Sequence, residues 1–155
     1  MWHARPAPFR NAWPLAVVVL LFAVGALYWS ARAREAGEEV TALIGTGKTV
    51  LGQIISYPTG APAKVTAAIV AMPPGAETGW HQHDVPMFCY MLEGEITVDY
   101  GAKGTRTYRK GDALIEAVDV RHNGRNTGSG VARVLAVFMG AEGVPNTVMT
   151  PIGPQ

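Results

Sequence analysis

The chain has a single cysteine, Cys89. An intrachain disulfide is therefore excluded, and so is a zinc site built from several thiolates. Charge is sparse as well: 13 Lys and Arg against 12 Asp and Glu give a formal net charge of +1, and the basic residues are scattered. A nucleic-acid footprint needs them clustered, so no nucleic-acid partner is expected. No internal repeat or low-complexity tract is present. At 155 residues, 48% of them apolar, the chain is long enough for one domain with a real core and too short for two comfortable ones.

Charge is missing altogether from Asn11 to Ala31, where Leu15 to Trp29 is almost wholly apolar. Trp13 stands at one end and Tyr28 and Trp29 at the other, the placement aromatic rings favour at a membrane interface. The segment reads as a single transmembrane helix or uncleaved signal anchor over residues 11–31, after a cytoplasmic tail over 1–10. A cleaved secretory signal is the competing reading, with Arg5 and Arg10 as its basic region and Ala31-Arg32-Ala33 as the cut. Either reading carries the remainder across the membrane. The expected location is a single-pass membrane protein with its globular part on the periplasmic side.

Residues 32–48 read as a linker. Within it, Gly45-Thr46-Gly47-Lys48-Thr49 invites a phosphate-binding loop, but Ala42 stands where that pattern needs glycine. The β-branched run Val50–Tyr57 follows in place of a helix, so the loop is expected to be a turn before a strand. From there the punctuation is that of an all-β domain over residues 49–150. Val65–Met72 is an expected strand, Met87–Leu92 and Glu95–Tyr100 an expected hairpin through Glu93-Gly94, and Thr105–Arg109, Ala113–Val118 and Val131–Met139 further strands. Short strands with turns at regular spacing suggest a sandwich or closed barrel.

Histidine is scarce too. Besides His3 in the N-terminal tail there are only His81, His83 and His122. In an extended strand alternate side chains share a face, so His81 and His83 can converge on one point, which is metal-ligand spacing. The flanking residues form a frame: Gly75, five residues, His81-Gln82-His83, three residues, Met87, six residues, Gly94. A second frame runs Gly111, five residues, Ala117, Val118, Asp119, two residues, His122, three residues, Asn126.

These two segments resemble the paired motifs of the cupin superfamily. In that family Glu stands at the position of Met87, and Pro and Gly stand at those of Ala117 and Asp119. The resemblance implies a single cupin-type jelly-roll β-barrel, preceded here by the N-terminal transmembrane helix. It also implies that His81, His83 and His122 meet inside the barrel on a divalent transition metal, with Fe, Zn, Ni and Cu all suited to neutral imidazole. Met87 shares the strand parity of His81 and His83, and is either pocket lining or a fourth, thioether ligand that would favour copper.

No general base stands out. Asp84 has the wrong parity, and Glu93 and Glu95 flank a turn; Glu116, before His122, could face inward, although solvent is the usual fate of a carboxylate at such a position. Cys89 reads as a buried small hydrophobe, and Trp80 and Tyr90 as barrel packing. Arg121 and Arg125 either draw an anionic ligand to the barrel mouth or are solvated charges near a turn. Asn126 reads as a turn-stabilising side chain. Two functions follow. One is a membrane-anchored metalloenzyme, an oxidoreductase or dioxygenase-like protein acting on a small molecule. The other is a non-catalytic cupin that binds a small ligand or partner at the membrane surface. A homodimer that covers exposed edge strands is compatible with both.

Overall fold

A computed structural model describes residues 39–151. The expected transmembrane segment over 11–31 and the tail before it lie outside the described residues. Among the described residues, no helix is long and apolar enough to cross a membrane. The domain that begins at Ala42 is all-β apart from a short 3-10 turn at Gly101–Lys103.

Nine strands follow in order: β1 Ala63–Met72, β2 His81–Gln82, β3 Met87–Glu93, β4 Glu95–Asp99, β5 Thr105–Arg109, β6 Ala113–Ile115, β7 Asn123–Arg125, β8 Ala132–Ala141 and β9 Val148–Met149. They form a four-stranded sheet in the order β1-β8-β3-β6, a three-stranded sheet β5-β4-β7, and a two-stranded ribbon β2-β9. All pairings are antiparallel. This is the jelly-roll type of arrangement.

The core lies between the two larger sheets because the strands alternate in period two. Along β3, Met87, Cys89 and Met91 are buried while Phe88 and Tyr90 are only partly so. Along β4, Ile96 and Val98 are buried. Met91 from the first sheet packs with Ile96 and Val98 from the second, together with Met72, Tyr100 and Ala132. The long edge strand β1 pairs with β8 along its whole length, from Ala63↔Ala141 to Met72↔Ala132, yet leaves Val65 and Ile69 exposed.

Three local expectations are corrected. Val50–Tyr57 is not a strand: the chain turns back at once, with Gly52 N donating to Thr49 O at 2.9 Å and Gly52 at φ 81°. Thr49 organises the turn, since its Oγ1 accepts from Leu51 N and Gln53 N, and only an isolated bridge Lys48↔Ile54 remains. Local side-chain bonding outweighs β propensity here.

Nor do β3 and β4 form a hairpin. β3 pairs with β6 and β8, whereas β4 pairs with β5 and β7. At Gly94 the chain crosses from one sheet to the other, and it runs so close to β8 that a Cβ there would lie 2.7 Å from Val131 O and 2.8 Å from Ala132 Cα. The glycine marks a close backbone approach rather than a tight turn.

The third correction concerns the histidine strand. β2 holds only His81 and Gln82, and the chain bends at Asp84 and Val85 before β3 begins at Met87. Parity is therefore not carried continuously from His81 to Met87. Met87 is buried because β3 starts afresh with its odd positions inward.

Candidate metal centre

Two short strands bring the three histidines together. His81 on β2 and His122 just before β7 face each other across an antiparallel bridge, with His81 N donating to His122 O at 3.0 Å and His122 N to His81 O at 2.8 Å. His83 follows one residue beyond β2, and Asp119 N donates to its carbonyl at 2.9 Å. The ring centroids are 4.4 Å apart for His81 and His122, 4.9 Å for His81 and His83, and 5.0 Å for His83 and His122. All three side chains are buried, and their candidate ligand atoms lie within 4.8 Å of one another.

The tautomers follow from the neighbours. His81 Nδ1 lies 2.7 Å from Gly79 O, His83 Nδ1 3.0 Å from Asn146 O, and His122 Nδ1 2.8 Å from Val120 O. A carbonyl only accepts, so each Nδ1 carries its proton and donates, which leaves each Nε2 with a free lone pair. His83 Nε2 is fully buried and has no hydrogen-bond partner. An orphaned buried acceptor is unfavourable unless something from outside the chain fills the place. Burial also keeps the imidazoles neutral: it lowers all three pKa values, His83 to about 3. Neutral rings with Nδ1 protons held by carbonyls and free Nε2 lone pairs, on three side chains whose ligand atoms lie within 4.8 Å of one another, suit a divalent transition metal.

The C-terminal segment supports this centre. β9 pairs with β2, Thr150 N donates to Trp80 O at 2.9 Å, and Thr147 Oγ1 lies 3.2 Å from His83 Nδ1. Neither β9 nor the Asn146 carbonyl carries a signal in the sequence, since the strand is two residues long and the contact is made by backbone.

The histidines open onto a cavity of about 260 Å³ between the sheets. Its walls are mostly aliphatic and sulfur-bearing, and Met87 is among them, packed with Cys89, Leu114 and Ala136. Burial pushes the Cys89 thiol well above its ordinary range, so it is an inert part of the wall. Trp80, Tyr90, Arg121 and Arg125 do not line the cavity. Arg125 is exposed and lies 3.6 Å from Glu77. Asn126 is buried away from it: its Nδ2 donates to Met72 O and Gly130 O, both at 2.8 Å, and its Oδ1 accepts from Gly128 N. Asn126 N donates to Ala76 O and Gly75 N to Asn126 O, which ties the ends of the two motifs together. Gly111, at φ 96°, turns the chain between β5 and β6. Asp119, where the motif has Gly, takes φ 54°.

Of the two orientations the sequence allows for Glu116, solvent and interior, the structure has the interior one. Glu116 is 4% exposed and lines the cavity. Its Oε1 accepts from Tyr100 OH at 2.8 Å and from Ala117 N at 2.7 Å, and Tyr100 OH lies 3.2 Å from Tyr108 OH. Burial raises its pKa above the ordinary carboxyl value. No local alternation announces this orientation, since Leu114, Ile115, Glu116 and Ala117 are buried in succession.

No curated protein matches the chain. Among solved structures it is similar to the DMSP lyase DddQ from Ruegeria pomeroyi DSS-3, 25% identical with a TM-score of 0.50 over 58% of this chain and 45% of that one. It is also similar to an oxalate decarboxylase from Lactobacillus farciminis in complex with formate, 23% identical with a TM-score of 0.48 over 55% of this chain and 26% of that one. The chain thus spans less than half the length of either. The family model described as a cupin domain matches residues 68–138, a stretch that contains all three histidines. That match, with the likeness of fold, supports placing this domain in the cupin superfamily.

Proposed function

We propose that this protein is a membrane-anchored, metal-dependent cupin enzyme that carries out oxidoreductase chemistry on a small molecule. The observation that carries the reading is the convergence of three neutral imidazoles, each fixed through Nδ1, on a buried point where His83 Nε2 has no partner. Buried polar atoms are hydrogen-bonded in the large majority of cases, so the open Nε2 at the meeting point of three imidazoles supports a ligand from outside the chain. When bound, a divalent ion at this point supplies a Lewis acid for an anionic or carbonyl oxygen and, if iron or copper, access to dioxygen chemistry.

The chain's own residues define the rest. The aliphatic and thioether walls take the apolar body of a substrate and exclude water, and a cavity of about 260 Å³ limits it to a small metabolite. Three histidines carry no negative charge, which favours a substrate with an anionic group. The likeness to a DMSP lyase, 45% of which is covered, supports a small-molecule substrate. Residues 11–31 supply the anchor, and the domain faces the periplasmic side. The exposed Val65 and Ile69 on edge strand β1 support a homodimer.

A non-catalytic binding protein is the second reading. It is favoured by one observation, the thioether of Met87 at the position of the motif carboxylate.

The test loads the full-length protein with Fe(II) or Cu and follows oxygen uptake with a panel of small carboxylates, enols and thiols, while membrane and soluble fractions are probed for the chain. Uptake that depends on one compound and is lost in His122→Ala, with the chain in the membrane fraction, is the expected result. Saturable binding of a compound without turnover would move the assignment to the binding protein.

A further inference from the structure

The metal centre has a charge problem that its three ligands leave unsolved. A dication on neutral imidazoles in an apolar cavity is uncompensated, and Met87 provides no carboxylate. Glu116 has the complementary problem. It is a 4% exposed carboxyl group in the same cavity, and none of the ion pairs among the described residues includes it. Buried carboxylates are stable when paired with a cation, and strongly unfavourable when left alone.

The position of Glu116 fits the pairing. Its hydrogen-bond partner Tyr100 has its ring 5.7 Å from that of His122, and Glu116 and His81 line one cavity. Oε1 is held by Tyr100 OH and Ala117 N, while among the described residues Oε2 accepts no hydrogen bond. The carboxylate nevertheless stands apart from the group of ligand atoms that lie within 4.8 Å of one another. We propose that Glu116 is the charge-compensating carboxylate of the metal centre, acting from outside the ligand set at the end of β6 in place of the carboxylate that position 87 lacks. It is a positioning residue for charge, not a fourth ligand. The inference rests on the metal reading above.

The test measures the dissociation constant of Co(II), by competition with a chelating dye, for the full-length protein, for Glu116→Gln and for Met87→Glu/Glu116→Gln. Glu116→Gln keeps the side chain's size and its Oε1 acceptor. It is expected to weaken Co(II) binding roughly tenfold to a hundredfold, with the visible Co(II) spectrum unchanged because the ligands are unchanged. The double variant restores a carboxylate at the motif position and is expected to recover affinity to within a few-fold of the parent. If Glu116→Gln does not fold, Glu116→Met supplies the same comparison, with the same expected loss.

Equal affinity in parent and variant overturns the inference and leaves the three-histidine site standing. Loss of affinity without rescue in the double variant assigns Glu116 a purely structural role and overturns it as well. A changed Co(II) spectrum in Glu116→Gln makes the residue a ligand, against the proposal. A parent that binds no Co(II) removes both this inference and the metal reading.

Discussion

His83 is where burial and chemistry act most directly on the same atoms. Its imidazole is 3% exposed, and burial holds its pKa at about 3, against an ordinary value of 6.5. In the metal-free protein the unfolded chain therefore binds a proton at His83 below about pH 6.5, while the folded chain does not until about pH 3. The resulting stability is present above the unfolded value and is lost as pH falls between the two. His81 and His122 act in the same direction. Glu116 has the opposite sign: its folded pKa is raised, so its contribution is present at low pH and is lost as pH rises through the folded value. Melting of the metal-free protein at pH 7 and pH 5 is expected to show a loss at the lower pH on the order of a few kcal/mol, reduced in His83→Gln. A variant that loses as much stability as the parent would contradict this. The histidines were legible because ligand spacing survives in sequence. Glu116 was not, because its burial depends on Tyr100, sixteen positions away, accepting the role of donor.

The long elements were legible, and so was the three-residue β6, which the run Ala113–Val118 announced. β1, β3, β4, β5 and β8 carry five or more residues, enough for apolar alternation or β-branched enrichment to show. β2, β7 and β9 are two or three residues each and exist because of their partners, so nothing local announces them. The apparent hairpin at Gly94 failed for a related reason. A glycine between two strands signals a change of direction but not which sheet receives the chain, and β8 makes that choice from about forty residues away. Gly94 at φ 73° has backbone atoms of Val131 and Ala132 within 3 Å of where a Cβ would stand, whereas Gly111 at φ 96° has nothing within 4 Å. Gly94→Ala is expected to destabilise the domain by roughly 2–4 kcal/mol in denaturant unfolding, through strain and overlap together. Gly111→Ala, with strain alone, is expected to cost about 1 kcal/mol. Equal effects would mean that the β8 contact contributes nothing.

At the scale of the whole molecule, the jelly roll serves to bring two hairpin-like segments that are distant in sequence onto one point. His81 and His122 are 41 positions apart and share a reciprocal pair of backbone hydrogen bonds. The C-terminal segment then closes over His83 through Asn146 and Thr147. This arrangement places an apolar cavity directly behind the nitrogen donors, which is what a metal site with room for a small molecule requires. The measurement that bears most directly on the account is the metal content of the full-length protein, purified without chelator beside a His81→Ala/His122→Ala variant. About one transition-metal ion per chain in the parent and none in the variant is the expected result. A parent without metal after reconstitution with Fe(II), Zn, Ni and Cu, or a variant that retains as much as the parent, would contradict it.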